Sequence, residues 1–208
     1  MEVWQNTDNV GNNITGNQDG AGGYMQKYGY ALYWHREDEY KGTGMMGRNE
    51  IEEKAGSLAG AGSDFPIPVY DIARRLGVKV WVADFGDLAE EYSGFCDFRE
   101  GEIYLNRDDN AIRRVFTAAH ELGHLLLHED YFEKKGERFA FLPRYSSAVD
   151  DSEQEKEANL FARCLLLPRA VLEPHLKGGN EPSVLAAAFD VTTDLLEERQ
   201  AEIGTSQE

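Results

Sequence analysis

The 208-residue chain lacks three features that would place it in well-known protein classes. It has no run of about 18 apolar residues, the length that a membrane-spanning helix requires. It has only two cysteines, Cys96 and Cys164, which is too few for a disulfide framework. Its first residues do not show a basic segment followed by an apolar one, as a secretory signal peptide does. We therefore expect a cytoplasmic protein with no membrane contact.

Basic residues are also scarce. The chain has 21 Lys and Arg against 38 Asp and Glu, which gives a formal net charge of −17. Nucleic-acid phosphates repel such a chain, so we predict no direct nucleic-acid binding. The acidic balance favours a basic protein partner. The hydrophobic fraction of 41% is enough for the core of one domain with appendages.

The most informative stretch is residues 119–128, which places His-Glu-x-x-His on an apolar helix. His120 and His124 are four residues apart, so they project from one helix face and can bind one metal ion. Glu121 points about 100° away from His120, where it can act on a water molecule as general base. This division of roles predicts a zinc hydrolase with one Zn²⁺ ion, and the residues do not exclude Mn²⁺.

His128 is a poor candidate for a third ligand. It lies about 12 Å along the helix axis from His120, which is too far for one ion. The metzincin pattern would need Gly and His at the positions of Leu127 and Asp130, so that pattern fails. We interpret His128 as a structural residue near the helix C-terminus, where the helix dipole favours a charged imidazole.

A second helix, ended by Pro168, offers better candidates. Glu155 and Asn159 are four residues apart and share a narrow polar stripe. In this interpretation Glu155 is the third ligand and Asn159 supports a ligand histidine with a hydrogen bond. Glu157 is the rival ligand, because it points towards the more apolar side of the helix. Residue spacing favours Glu155 but does not decide between the two carboxylates.

These motifs resemble the ImmA/IrrE family of zinc metallopeptidases. The resemblance rests on the His-Glu-x-x-His helix and on Glu-x-Glu-Ala-Asn-x-Phe-Ala followed by Leu-Leu-x-Pro at residues 155–168. Segments near residues 66–77 and 185–199 resemble the ends of the family domain. The resemblance implies a gluzincin-like site with His120, His124 and Glu155 on zinc and Glu121 as base. It also implies cleavage of a helix-turn-helix transcriptional repressor or an antitoxin-like protein, which relieves repression of phage, mobile-element or stress genes.

The hydrophobic pattern predicts an α+β fold. We expect a mainly helical metallopeptidase core with a small, three-stranded, mostly antiparallel sheet beside the metal-binding helix. The C-terminal part is expected to form a helix-turn-helix-like pair that packs rather than reads DNA, because its second helix carries mostly acidic residues. The predicted helices cover 49–59, 68–76, a span from about 110 to 128, 152–167, 170–176, 183–189 and 193–201; the predicted strands cover 78–82, 92–98 and 102–106.

Composition divides the chain into three parts. Residues 1–48 form a Gly-, Asn- and aromatic-rich arm, residues 49–168 the metallopeptidase core, and residues 169–208 a helical packing module. Residues 128–150, between the two metal-binding helices, are expected to form a loop. Tetrahedral intermediates need a donor for their oxyanion, and Arg144, Tyr145 and Tyr131 are the candidates.

A different class of function is compatible with the same residues. The chain can be an anti-repressor, a protein-binding module whose metal site acts without proteolysis. Glu121 favours the enzyme, since a purely structural site has no need of a general base.

Overall fold

The computed structural model describes residues 5–6, 46–60, 65–136, 139–143 and 152–205. Within these ranges the chain forms eight helices and five strands, so the predicted α+β class is confirmed. The predicted arm falls mostly outside the described residues. The helices are α1 (Arg48–Ala59), α2 (Val69–Arg75), α3 (Ala111–Leu127), α4 (Glu129–Lys135), α5 (Glu153–Leu166), α6 (Arg169–Lys177), α7 (Pro182–Phe189) and α8 (Thr193–Thr205). The strands are β1 (Gln5–Asn6), β2 (Lys79–Ala83), β3 (Tyr92–Asp97), β4 (Glu102–Asn106) and β5 (Phe139–Pro143).

The strands form one sheet in the order β1-β2-β4-β3-β5. The predicted hairpin is β3 and β4, which pair antiparallel and turn at Gly101 with a positive φ of 63°. The predicted third strand, β2, pairs with β4 in parallel. Two short strands that the sequence did not suggest, β1 and β5, extend the sheet by antiparallel pairing at its two sides.

The interpretation of residues 128–150 as a loop was wrong. The segment contains helix α4 and strand β5. Acidic Glu129 and Asp130 occupy the first turn of α4, and Lys134 and Lys135 occupy its last turn. This charge order suits the helix dipole. The charge order is therefore a local sequence signal for a short helix. The mixed charge of the whole segment obscured this signal.

Helix α3 lies at the centre of the fold. It contacts β3, β4 and β5 of the sheet as well as α5. Eight consecutive residues, from Thr117 to His124, are buried. A helix that is buried on every side over two turns must be surrounded by other elements. The His-Glu-x-x-His stretch therefore lies inside the core, not on a surface-facing stripe.

Side-chain caps fix where the two metal-binding helices begin. Asn110 caps α3, and its Oδ1 accepts a hydrogen bond of 2.9 Å from the backbone N–H of Arg113. Ser152 caps α5, and its Oγ accepts a hydrogen bond of 3.3 Å from the backbone N–H of Glu155. Each cap satisfies a backbone N–H that the helix itself leaves unpaired.

Among the described residues, no helix is both long and apolar enough to cross a membrane.

A buried arginine joins the C-terminal helices to the core. Arg199 of α8 has no exposed side-chain surface. Its Nε donates a hydrogen bond of 3.1 Å to the carbonyl oxygen of Leu167, at the C-terminal end of α5. Its two Nη atoms donate to the carboxylates of Glu52 on α1 and Glu202 on α8. Glu52 also accepts a hydrogen bond of 2.9 Å from Arg169. These contacts hold α8 against α1 and the end of α5.

Replacing Glu52 with Gln is expected to destabilise the protein in a pH-dependent way. Burial raises the pKa of Glu52. The hydrogen bonds and the positive charges of Arg169 and Arg199 lower this pKa by a larger amount, so it lies below its ordinary value of 4.5. Its stabilising effect is therefore complete above pH 4.5 and is lost as the pH falls through the folded-state pKa. We expect E52Q to lower the free energy of unfolding by about 3 kcal/mol at pH 7, since Arg199 loses a buried charged partner.

Urea unfolding of both proteins between pH 3 and pH 7 measures this difference. The gap between wild type and E52Q should shrink below pH 4.5. The exposed neighbour Glu53 provides the matched control, because E53Q removes the same charge from the same helix. A pH-independent gap, or an equal effect of E53Q, would contradict the assignment.

Candidate metal centre

Helix α3 presents His120 and His124 as a pair on one face. Their Nε2 atoms lie 3.0 Å apart, and their ring centroids are 4.7 Å apart. Both side chains are fully buried. Two imidazole nitrogens that converge in this way offer two ligands to one ion.

Glu155 of α5 completes a group of three ligand atoms. Its Oε2 lies 3.2 Å from His120 Nε2, and its Oε1 lies 3.0 Å from His124 Nε2. The ligand atoms of these three residues all lie within 4.8 Å of one another. The Glu155 side chain keeps 14% of its surface exposed, whereas the two histidine side chains have none.

The charge states of these groups suit a metal. Burial lowers the pKa of His124 to about 4, which outweighs the opposing effect of the nearby Glu155 carboxylate. Burial raises the pKa of Glu155, but the nearby imidazoles of His120 and His124 lower it well below its ordinary value. At neutral pH the centre therefore offers a neutral His124 imidazole and an ionised Glu155 carboxylate, the protonation states that bind a cation.

Glu121 is a buried carboxylate with unused acceptors. Neither Oε1 nor Oε2 has a hydrogen-bond partner within the described part of the chain, and the side chain is fully buried. Burial, followed by the negative charge of Glu155, raises its pKa well above the ordinary value. Unpaired buried carboxylate oxygens are costly, so they indicate a functional role. The residues present fit a metal with a carboxylate beside it.

The other candidate residues are placed differently. Asn159 Oδ1 lies 3.1 Å from His120 Nδ1, so it can accept a hydrogen bond from this ring. Tyr131 lies in α4, where its ring packs edge-on against Phe132 at 5.1 Å. The other two oxyanion candidates, Arg144 and Tyr145, lie outside the described residues.

The rival carboxylate Glu157 is directed to another histidine. Its Oε2 lies 2.9 Å from His128 Nε2, and it does not belong to the group of three ligand atoms. His128 is the C-terminal cap of α3 and is buried. Burial lowers the pKa of His128 despite its hydrogen bond to Glu157. The direction of this shift opposes the charged imidazole that we expected at the helix C-terminus.

Gly123 lets α3 approach α5 closely enough for this convergence, a role that our sequence interpretation missed. A Cβ atom at Gly123 would lie 3.1 Å from Cδ1 of Phe161 and 3.3 Å from Cα of Ala158. The sequence signal was available, since a glycine inside a strongly apolar helix usually has a packing reason.

The chain is similar to known proteins in its sequence and in its fold. The chain matches the Peptidase M78 family, described as the IrrE N-terminal-like domain, over residues 73–200, which is more than half of its length. The chain belongs to this family. The resemblance inferred from the two helices is thus confirmed, and the family supports a metallopeptidase type of function.

Solved structures and curated proteins add less. The fold is similar to that of a Mycobacterium tuberculosis transcriptional regulator, with a TM-score of 0.51 and 17% sequence identity. The similarity covers 72% of this chain and 47% of that one, so the chain spans about half the length of this neighbour. At this identity the likeness concerns the fold alone. No curated protein matches the chain.

Replacing Gly123 with Ala is expected to weaken zinc binding. The added methyl group would press on Ala158 and Phe161 and would separate the histidines from Glu155. Overpacking costs about 1–3 kcal/mol, which corresponds to a loss of zinc affinity of roughly tenfold or more. Competition with a chromophoric chelator measures the affinity.

Gly56 of α1 provides the matched control for this substitution. A Cβ atom there would meet nothing within 4 Å. G56A should raise the free energy of unfolding by about 1 kcal/mol through helix propensity and leave zinc affinity unchanged. Equal zinc affinity of G123A and G56A would show that close packing at Gly123 does not control the centre.

Proposed function

We propose that the chain is a zinc-dependent endopeptidase that cleaves a regulatory protein. One observation carries this proposal: His120, His124 and Glu155 converge from two helices, and the unpaired, buried Glu121 follows directly after the first histidine. The three side chains would hold the ion. A bound Zn²⁺ would supply Lewis-acid chemistry, which acidifies water and polarises a carbonyl group.

The residues of the chain have separate tasks in this proposal. A carboxylate oxygen of Glu121 takes a proton from the attacking water and delivers it to the nitrogen of the departing amine. Burial raises the pKa of Glu121 above its ordinary value, which makes the carboxylate a stronger base for the first step. Asn159 holds the His120 ring in place. Arg144, Tyr145 and Tyr131 remain predictions as oxyanion donors.

The substrate that we propose is a DNA-binding repressor or an antitoxin-like protein. The family resemblance supports it, as does the net charge of −17, which favours a basic partner. Helix α8 carries Asp194, Glu197 and Glu198, so it is poorly suited to bind DNA itself. Strand β5, at a side of the sheet and in contact with α3, offers a backbone to which an extended peptide can add.

The predicted division of the chain stays part of this proposal. Residues 49–168 would form the metallopeptidase core, because the four site residues lie within it. Residues 169–208 would pack against that core, and residues 1–48 would form an arm of separate role. A cytoplasmic location is likewise a proposal, consistent with a repressor as substrate.

Replacing Glu121 with Gln tests the mechanism. We expect E121Q to keep its zinc content, since the three ligands remain, and to cleave at least about 100-fold more slowly, since the general base is lost. The assay incubates the purified protein with the repressor encoded beside it and measures the intact masses of the products. Elemental analysis of both proteins identifies the bound metal as zinc or manganese.

Two controls give the result its meaning. E153Q removes an exposed carboxylate of α5 that pairs with Lys156, and it should cleave like the wild type. A chelator should stop cleavage, and added Zn²⁺ should restore it. Undiminished cleavage by E121Q with normal zinc content would refute the mechanism. Relief of repression by E121Q while the repressor stays at full length would favour the anti-repressor instead.

A further inference from the structure

A chain of hydrogen-bonded side chains continues from the metal centre away from the ligand atoms. His124 Nδ1 lies 3.0 Å from His128 Nδ1, and His128 Nε2 lies 2.9 Å from Glu157 Oε2. The His124–His128 contact is buried, and the side chains of His128 and Glu157 keep only 4% and 13% exposure. We call His128 and Glu157 the relay pair. The proposed catalytic roles use neither residue.

The donors and acceptors in this series of hydrogen bonds determine which ring nitrogens carry a proton. An ionised Glu157 carboxylate can only accept, so His128 Nε2 must carry the proton and donate it. His128 Nδ1 is then a lone pair, which accepts a hydrogen bond from an N–H at His124 Nδ1. His124 Nε2 is consequently left with its lone pair, and this atom is the one that faces His120 and Glu155. A metal ligand needs that tautomer.

Glu157 is also costly to keep where it is. Its second oxygen, Oε1, is buried without a hydrogen-bond partner in the described ranges. A buried carboxylate that uses only part of its acceptor capacity weakens the fold. Packing alone would be served better by an apolar side chain at this position. We therefore attribute the presence of a carboxylate at this position to its hydrogen bond with His128.

We propose that His128 and Glu157 are positioning residues that hold His124 in its metal-binding tautomer and ring orientation, and so raise the affinity of the centre for its metal. The inference rests on the metal site of the proposed function but not on peptide hydrolysis. It also gives separate roles to the two carboxylates of α5. Glu155 would bind the ion directly. Glu157 would affect the affinity for the ion indirectly, through the imidazole rings of His128 and His124.

Zinc affinity of four variants tests this proposal. The variants are E157Q, H128F, the double variant E157Q/H128F, and E153Q as the matched control, which removes an exposed carboxylate from the same helix. Competition with a chromophoric chelator gives the Kd for zinc alone, and thermal unfolding of the metal-free proteins shows that each variant folds. We expect E157Q and H128F each to raise the Kd about 10- to 100-fold. E153Q should stay within about twofold of the wild type.

The double variant separates a relay from a simple charge effect. If Glu157 acts through His128, adding E157Q to H128F should raise the Kd no further. If Glu157 acts only through its charge, the two single effects should multiply, and the proposal is overturned. Equal Kd values for E157Q and E153Q would also overturn it, while leaving the peptidase proposal intact. Failure of the wild type to bind zinc would overturn both.

Nuclear magnetic resonance provides a readout that a packing role would not change. In the ¹⁵N-labelled, zinc-loaded wild type and E153Q, we expect a scalar coupling between the two Nδ1 atoms of His124 and His128 across their N–H···N hydrogen bond. The one-bond N–H coupling then shows which nitrogen carries the proton, and we expect it to be His124 Nδ1. Its absence from the zinc-loaded wild type would contradict the proposed proton arrangement.

Discussion

The close approach of α3 and α5 is the constraint on which the centre depends. The two histidines come from one helix and the carboxylate from the other, so their convergence is a matter of interhelical distance. That distance is set where Gly123 faces Ala158 and Phe161, and even one added methyl group there would meet atoms at 3.1–3.3 Å. Packing between apolar residues thus fixes the geometry of the polar centre.

The second constraint is electrostatic. His120, Glu121 and His124 are fully buried on a helix that is surrounded over two turns. Groups of this kind destabilise a core unless each finds a partner. The ligand nitrogens face Glu155, and the outer nitrogens of the two rings face Asn159 and His128. Glu121 is the exception, because both of its oxygens stay unpaired. Glu121 is also the residue that we propose as general base.

Periodicity in the sequence was enough to predict both metal-binding helices and the strands that became β3 and β4. These features depend on local residue order. The choice between Glu155 and Glu157 could not be made in the same way, because both fit the first turns of α5 and the contact with α3 decides between them. The parallel pairing of β2 with β4, the added strands and the role of Arg199 likewise depend on contacts between distant parts of the chain. Residues 128–150 were misassigned because their mixed charge hid a short helix.

Helix α5 connects the metal centre with the C-terminal part of the fold. Its N-terminal half carries Glu155, Glu157 and Asn159, each of which contacts a histidine at the centre. Just beyond its C-terminal end, the carbonyl oxygen of Leu167 accepts a hydrogen bond from the fully buried Arg199. A shift of α5 along its axis would therefore disturb the histidine contacts of all three residues at once and would also break a buried charged hydrogen bond. Helix α8 thus supports the centre from a distance, since its Arg199 helps to hold the helix that supplies the carboxylate.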